Sequence, residues 1–204
     1  MQIKCDIKIP DDIAVIDAEM CDRGRIIELT TLFTSINKKV RRTVVNIDRY
    51  NPKRKMNDVV ISYHGIQQKE LENCKPFFHA RIKCKKKYII GHDVRNDKNA
   101  LQKCGERVDN FKWICTQKLI NVLFKRKNMS LQKSIDLLIA DEKYTGMFDM
   151  YKSYKDTYNT AQLYKALCDV SYSRFGQNDS EFMWKLSRKS DATHADKEVE
   201  VCTV

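Results

Sequence analysis

The chain has 204 residues, of which 42% are hydrophobic, and this combination is typical of one globular domain. Its 38 Lys and Arg residues exceed its 27 Asp and Glu residues, and the net charge of +11 favours polyanionic partners such as nucleic acid. No apolar run approaches the roughly 20 residues of a transmembrane helix and the N-terminus is charged, so we expect an intracellular protein, cytoplasmic or nuclear, with no membrane partner.

The first part of the sequence predicts three consecutive strands. Residues 13–20, IAVIDAEM, form a short β-branched apolar run that suits a buried strand, although two acids interrupt it. Residues 25–34 and 42–50 are also rich in β-branched residues, and a polar stretch separates them. Three such segments in succession are typical of an antiparallel meander.

The sequence then alternates between helical and strand-like patterns. Helical spacing predicts a helix over residues 67–82, interrupted at Pro76, and short strands follow at residues 88–90 and 113–115. Further helices are predicted at residues 99–104, 117–124, 131–140 and 154–169. The fold class is therefore α/β, with a mixed five-stranded sheet flanked by helices.

The final segment of the chain is polar, and its end lacks any hydrophobic periodicity. Such composition does not support a packed core. We therefore expect a domain over residues 1–172 and a polar extension over residues 173–204, whose end is disordered.

Two acids stand on the first predicted strand. Asp17 and Glu19 are two residues apart, so their side chains point to the same face of the sheet. Two adjacent carboxylates repel one another unless a cation lies between them. The pair therefore indicates either divalent metal binding or exposure at the end of the strand.

Two further acids follow other predicted elements. Asp97 lies in GHDVRND (residues 91–97), which connects a strand directly to a helix, and Asp156 lies in the opening turn of a long helix. An acid at that position of a helix is also favoured by the helix dipole alone. The combination of the four acids, rather than any one of them, indicates a functional site.

These motifs resemble the DEDD exonuclease superfamily, whose members have a ribonuclease H-like fold, over roughly residues 13–168. VIDAEM (residues 15–20) is similar to the first family motif, and its Asp-x-Glu-Met form resembles the RNA exonuclease branch. IIGHDVRNDKNAL (residues 89–101) is similar to the second motif, and its Asn-Asp pair again resembles that branch. The His-Gly-Ile turn at residues 64–66 and the segments 113–124 and 129–140 are similar to proofreading-type members, so both branches stay open.

The resemblance implies a catalytic and metal-binding set formed by Asp17, Glu19, Asp97 and Asp156, which bind two divalent cations, normally Mg²⁺ or Mn²⁺. Hard cations prefer oxygen ligands, and a pair of them can activate water and stabilise a leaving oxygen. The implied activity is 3′→5′ exonucleolytic hydrolysis of single-stranded nucleic acid, with RNA somewhat preferred over DNA, to release nucleoside 5′-monophosphates.

Other positions of the family motifs concern the substrate and the general base. Met20 and Cys21 stand where related enzymes contact the terminal nucleotide. The family places a histidine five residues before the last aspartate or a tyrosine four before it, and here Tyr151 has the histidine's spacing. A tyrosine with a pKa near 10 is a poor general base at neutral pH, although its hydroxyl can orient a water molecule. We therefore expect Tyr151 to take part in catalysis with reduced activity.

Asp93 also departs from the family pattern, because an asparagine is usual at its position. It is interpreted either as an acid that acts on the metal ligands from outside or as an exposed residue. His92 and His64 are expected to have structural roles, since neither has a partner at the spacing of a zinc site.

Two alternatives to the exonuclease hypothesis are retained. A catalytically impaired nuclease fold would bind nucleic acid or a protein partner, and Tyr151 and Asp93 favour it. Four preserved acids argue against it, because a module that only binds does not need four groups that repel one another. A basic α/β scaffold of unrelated function would require every motif match to be a coincidence.

Overall fold

A single mixed sheet organises the protein, and the computed structural model describes residues 1–37, 40–149 and 154–192. Its strands run in the spatial order β1-β4-β3-β2-β6-β7, and β5 pairs with the end of β4. The strands are β1 (Gln2–Cys5), β2 (Ile13–Cys21), β3 (Arg25–Asn37), β4 (Val40–Asn51), β5 (Lys75–Pro76), β6 (Tyr88–Gly91) and β7 (Lys112–Cys115).

Helices cover both faces of this sheet. They are α1 (Asp58–His64), α2 (Gln68–Leu71), α3 (Arg95–Lys103), α4 (Thr116–Phe124), α5 (Leu131–Ile139), α6 (Lys155–Phe175) and α7 (Ser180–Ala192). None of the helices formed by the described residues has the length and apolar character that crossing a bilayer requires.

The direction of the strands changes at β2. β2 pairs antiparallel with β3, and β3 pairs antiparallel with β4, which forms the predicted meander. On its other side β2 pairs parallel with β6, and β6 pairs parallel with β7. The carboxyl ends of β2, β6 and β7 therefore lie at the same edge of the sheet, where ligands of α/β proteins commonly bind.

The alternation of side chains along β2 divides the core in two. Ile13 and Val15 pack with α4, α5, α6 and α7, whereas Ala14 and Ile16 pack with α3. The sheet thus separates an α3 layer from an α4–α7 layer, which confirms the predicted mixed sheet flanked by helices.

Two details of the sheet and one helix differ from the prediction. The sheet has seven strands rather than five, because the N-terminal β1 pairs with β4 and the two-residue β5 pairs with the end of β4. The predicted helix over residues 67–82 is wrong. The single turn of α2 and a 3-10 turn at Phe77–His79 form there, since Pro76 has no N–H for a helix and β5 takes an extended conformation against Tyr50 and Asn51.

The C-terminal part of the fold also extends further than the expected boundary at residue 172. That position lies inside α6, and α7 packs onto α4 and β7 with Met183 and Leu186 buried. The packed part of the chain therefore reaches α7. The expected disordered end comprised residues 187–204. Residues 187–192 instead belong to α7, and residues 193–204 lie outside the described residues.

Candidate active site

Three carboxylates from two elements meet near the carboxyl end of β2. Asp17 and Glu19 point to the face of the sheet that α6 covers, and Asp156 lies in the first turn of α6. One carboxylate oxygen of each residue lies within 4.8 Å of the other two, and all three residues are partly exposed. We call Asp17, Glu19 and Asp156 the acid cluster.

A β-bulge shapes this end of β2. The register between β2 and β3 shifts between Glu19 and Met20, directly beside the acid cluster. Such bulges bend a strand and redirect its side chains, and they are common next to active sites. The bulge ends the regular alternation just after Glu19, so the following residues are not placed on the acid face by strand geometry.

Repulsion and burial act together on the protonation of the cluster. Burial raises the pKa of Asp17 well above its ordinary value of 3.8, and the charges of Asp97, Glu19 and Asp156 raise it further. The pKa of Glu19 is also raised, first by burial and then by Asp156, while Lys155 opposes the shift. A bound proton or cation therefore stabilises the cluster.

Asp97 lies beside the cluster without joining the group of oxygens within 4.8 Å. It stands in the first turn of α3 with only 6% of its surface exposed, and its carboxylate accepts a hydrogen bond from the backbone N–H of Ala18. Burial raises its pKa to about 7 despite this hydrogen bond, and the charges of Asp93 and Glu19 add to the shift. Three of the four predicted acids form the acid cluster, and the charge of the fourth, Asp97, raises the pKa of Asp17.

Gly91 brings Asp97 to this position. A Cβ atom at Gly91 would lie 2.9 Å from Cγ1 of Val94 and 3.5 Å from Oδ2 of Asp97. The first distance is shorter than real contacts allow, so a side chain here would displace the loop between β6 and α3. The glycine of the Gly-His pair therefore serves close packing between the loop and the buried acid.

His92 ties this loop to its neighbours. Its Nδ1 lies 2.9 Å from Oγ1 of Thr116, and its Nε2 lies 2.9 Å from the carbonyl oxygen of Met129. The Nε2 atom must donate to the carbonyl. Burial lowers the pKa of His92, and the Thr116 hydroxyl donates a hydrogen bond to the carbonyl oxygen of Gly91 at 3.3 Å. These contacts agree with the predicted structural role of His92.

Asp93 is a partly buried residue with a left-handed backbone, at a φ of 53°. Its charge raises the pKa of Asp97, as described above. Of the two interpretations of Asp93, action on the site from outside the cluster agrees with this electrostatic effect.

Glu28 is a fifth acid of the site that sequence reasoning did not identify. It pairs with Glu19 across β2 and β3 and is 8% exposed, and it raises the pKa values of Asp17 and Glu19. Arg49 lies opposite Glu28 on β4 and binds it through Nε at 2.8 Å, and a second nitrogen of Arg49 binds Glu70 at 2.6 Å. The signal was present in the sequence, because aligning the meander places Glu19, Glu28 and Arg49 side by side.

The remaining predicted positions have different environments. Met20 is partly buried against the α3 layer, and Cys21 is 4% exposed and packs with Ile27 and Met56. The buried thiol of Cys21 leaves only its backbone for contact with a substrate. Tyr151 lies outside the described residues.

His64 ends α1 in the His-Gly-Ile turn. Its Nδ1 accepts a hydrogen bond from the backbone N–H of Ile66 at 3.0 Å, which agrees with the expected structural role. Its buried Nε2 has no hydrogen-bond partner within the described part of the chain, and the charge of Glu28 acts on the ring.

The acid cluster fits a divalent cation by its donor chemistry. Its three ligand groups are carboxylates, which hard cations such as Mg²⁺ and Mn²⁺ prefer, and their oxygens are close enough to share one ion. Burial and the neighbouring acids raise the pKa values of Asp17 and Glu19, and Lys155 opposes the shift of Glu19 without reversing it, so a cation at these oxygens would stabilise the ionised forms.

Solved structures share this fold. No protein-family model matches the sequence, and no curated protein matches it. A structure of Exonuclease X in complex with 5′-overhanging duplex DNA matches with a TM-score of 0.61 and 20% identity, over 86% of this chain and 99% of that one. A 3′-exonuclease that recognises the 3′ end of a histone mRNA stem-loop matches with a TM-score of 0.55 and 18% identity, over 82% and 84%. The chain therefore has the ribonuclease H-like α/β fold of these exonucleases.

Proposed function

We propose that the protein is a metal-dependent 3′→5′ exonuclease that hydrolyses single-stranded nucleic acid and releases nucleoside 5′-monophosphates. The observation that carries this proposal is the acid cluster. Its oxygens lie within 4.8 Å of one another, at the edge of the sheet where the three parallel strands end. The two solved structures described above are exonucleases, one bound to DNA and one that recognises RNA.

Asp17, Glu19 and Asp156 are proposed to hold Mg²⁺ or Mn²⁺, and Asp97 is proposed to complete a site for two ions. Such ions supply Lewis-acid chemistry, which makes a water molecule a better nucleophile and stabilises the charge of the leaving 3′ oxygen. In the overall reaction water adds to phosphorus and the bond from phosphorus to the 3′ oxygen breaks. The products are a nucleoside 5′-monophosphate and a strand with a new 3′ hydroxyl.

The protein's own residues position these groups. Asp17 and Glu19 are fixed by the hydrogen-bonded ladder of β2, and Asp97 by the backbone N–H of Ala18. Tyr151 is proposed to orient the attacking water through its hydroxyl, because it stands five residues before Asp156 in the sequence. The preference for RNA over DNA is proposed from the sequence signatures Asp-Ala-Glu-Met and Asn-Asp.

The alternative is a nuclease fold that binds nucleic acid without cleaving it. The observation that favours it is the raised pKa of Asp97, which burial causes and to which the charge of Asp93 adds, since protonation weakens a carboxylate as a cation ligand. Two of the neighbouring acids also have raised pKa values. Metal binding and hydrolysis separate the two proposals.

The decisive experiment follows the shortening of 5′-labelled single-stranded RNA and DNA of one sequence, with Mg²⁺, with Mn²⁺ and with EDTA. We expect a ladder that shortens from the 3′ end, requires the metal, and slows roughly 100-fold or more in Asp17→Asn, which keeps the shape of the side chain but loses its charge. Asp6→Asn removes the same charge from an exposed position and should retain the wild-type rate. Tyr151→Phe, which lacks the hydroxyl, should also be slower.

Two results would contradict the proposal. Hydrolysis that persists in EDTA, or at an equal rate in Asp17→Asn, would mean that the acid cluster is not the site. Strand binding without hydrolysis under either metal would favour the alternative.

A further inference from the structure

A long groove crosses the edge of the sheet at β7, between the α3 layer and the α4–α7 layer. Its volume of about 1250 Å³ exceeds the roughly 300–1,000 Å³ of small-molecule pockets, so its size suits an extended polymer. We call it the edge groove. Its walls include Arg95 and Lys98 of α3, Trp113 of β7, Lys118 of α4, and Trp184 and Arg188 of α7.

One end of the edge groove lies on the same side of the sheet as the acid cluster. β2, β6 and β7 are parallel, so their carboxyl ends lie at one edge. Asp93, which follows β6, and Gln117, which follows β7, line the groove at that edge. The first turn of α3 connects the two sites, because Arg95 lines the groove while Asp97 is buried beside Asp17.

Positive charge dominates the lining of the groove. Arg95, Lys98, Lys127 and Arg188 line it, and none of these four forms an ion pair with an acid of residues 1–37, 40–149 or 154–192. Other basic residues of the fold, such as Arg49 on β4, have acidic partners. Cations that the protein leaves without a counter-charge favour a polyanionic ligand.

Cationic side chains lie over the faces of two tryptophan rings in the groove. Nζ of Lys98 lies 5.7 Å from the ring centre of Trp113, and Cζ of Arg188 lies 5.1 Å from that of Trp184. Lys112 also lies over Trp184, at 4.1 Å. Rings covered in this way position cations rather than stack on bases, so the groove suits phosphates and does not read sequence.

We propose that the edge groove binds the phosphate backbone of the strand on the 5′ side of the nucleotide that is removed. The inference rests on the proposed function, which places the 3′ terminus at the acid cluster. The rest of the strand then passes the loop at Asp93 and follows α3 along the groove. Arg95, Lys98, Lys127 and Arg188 bind its phosphates, and the enzyme holds a long strand more tightly than a short one.

The test is a binding measurement in EDTA, where no metal-dependent hydrolysis occurs. Fluorescence anisotropy with a labelled single strand of about 20 nucleotides gives the Kd at several salt concentrations. The groove variant is Lys98→Gln with Arg188→Gln. The matched control is Lys4→Gln with Lys69→Gln, which removes the same charge from exposed positions outside the groove.

We expect the groove variant to bind roughly tenfold more weakly, and the slope of log Kd against log salt to fall by about 1.4, which is about 0.7 for each lost phosphate contact. The control should keep the wild-type affinity. Equal affinity of wild type and groove variant, an equal loss in the control, or no binding by the wild type at low salt would each overturn the inference. Thermal unfolding of each variant verifies that it is folded.

The outcome is independent of the cleavage assay. If the protein does not hydrolyse nucleic acid but the groove variant binds more weakly than the control, the proposed function fails and the groove remains a nucleic-acid site. If hydrolysis depends on Asp17 while the groove variant binds normally, the proposed function stands and the groove assignment fails.

Discussion

Asp93 influences the candidate site through both its backbone and its charge. Its left-handed conformation, at a φ of 53°, is one that asparagine and aspartate adopt more readily than most residues. Its carboxylate helps to raise the pKa of Asp97, although burial is the larger cause. The two effects can be separated, because asparagine preserves the conformation and removes the charge.

We expect Asp93→Asn to lower the pKa of Asp97 from its value of about 7 while the loop between β6 and α3 keeps its shape. Removing a nearby negative charge makes the ionised form of Asp97 less unfavourable. Titration of the Asp97 carboxyl carbon by NMR in EDTA measures this shift without interference from a cation. Asp109→Asn is the control, because Asp109 is exposed and does not contribute to the shift of Asp97. An unchanged midpoint in Asp93→Asn would show that the two acids do not interact.

The sequence identified four acids of the site but not which of them lie close together. Asp17, Glu19 and Asp156 were predicted as members of one site, and the structure brings them together. Glu28 was missed, because its approach to Glu19 depends on the register of β2 against β3 and not on spacing within one strand. The burial that raises the pKa of Asp97 depends on packing contributed by several elements, and no local pattern contains that information.

The last helix, α7, packs into the same core as the other helices of its layer. Met183 is fully buried and Leu186 is 3% exposed, and both belong to the same core cluster as α4 and α6. Glu181 anchors the start of the helix, where Nζ of Lys112 and the hydroxyl of Tyr88 each donate a hydrogen bond to it at 2.6 Å. Because α7 also contributes Trp184 and Arg188 to the edge groove, its packing positions two residues of that surface.

We expect Met183→Ala to lower the free energy of unfolding by about 2–5 kcal/mol, since it leaves a cavity in the core. Lys189→Ala, on the exposed face of the same helix, should change stability by less than about 0.5 kcal/mol. Urea unfolding of both variants provides the measurement. Similar midpoints for the two variants would indicate that α7 does not pack as part of the domain in solution.

The elements that were predicted well are those with strong local patterns. The long strands of the meander and α4, α5 and α6 lie close to the predicted ranges, because their apolar residues repeat with the period of the element. The helix over residues 67–82 was wrong because its spacing suggested a helix while Pro76 and pairing with β4 favoured an extended chain. β1, α1 and α7 were not predicted. β1 has only four residues and α1 has no buried residue, while α7 packs on partners distant in sequence.

The protein has a net charge of +11, but its surface includes one acidic region and one basic region. The acid cluster and its neighbours concentrate negative charge at the carboxyl end of β2. The edge groove is lined by Arg95, Lys98, Lys127 and Arg188, which form no ion pair with an acid of the described residues. This arrangement suits a polyanion whose backbone is held by the groove and whose end reaches the acids. The acids repel a phosphate, and the proposed cation at the cluster would reduce that repulsion.

Protonation of the site affects the stability of the whole protein, and acids and histidines act in opposite directions. The pKa of Asp97 is raised from 3.8 to about 7, so between these values the folded protein holds a proton that the unfolded chain has lost. The contribution of Asp97 to the free energy of unfolding therefore falls as the pH rises from 3.8 to about 7, by about 1.4 kcal/mol per pH unit for one proton. Burial lowers the pKa of His64 and His92 below 6.5, so their contributions rise with pH up to that value.

The acid contribution is therefore isolated by comparing the wild type with Asp97→Asn, since both proteins contain the same histidines. In EDTA we expect the variant to gain stability relative to the wild type as the pH rises from about 4 to about 7, because it has no carboxylate to ionise in a buried position. Urea midpoints over this range give the difference. A difference that stays constant with pH would mean that Asp97 ionises with an ordinary pKa.

Mg²⁺ should stabilise the folded protein to an extent that depends on pH. Ionisation of the acids increases as the pH rises to about 8, so at that pH the cation should relieve more of their repulsion, bind the folded state and raise the Tm. The increase should be smaller at a pH of about 5, where protons occupy the same oxygens, and smaller at either pH in Asp17→Asn. If the pH-dependent difference appears but Mg²⁺ has no effect on Tm, the acids bind a proton and not the cation. This result would favour the alternative proposal, a nuclease fold that binds nucleic acid without cleaving it.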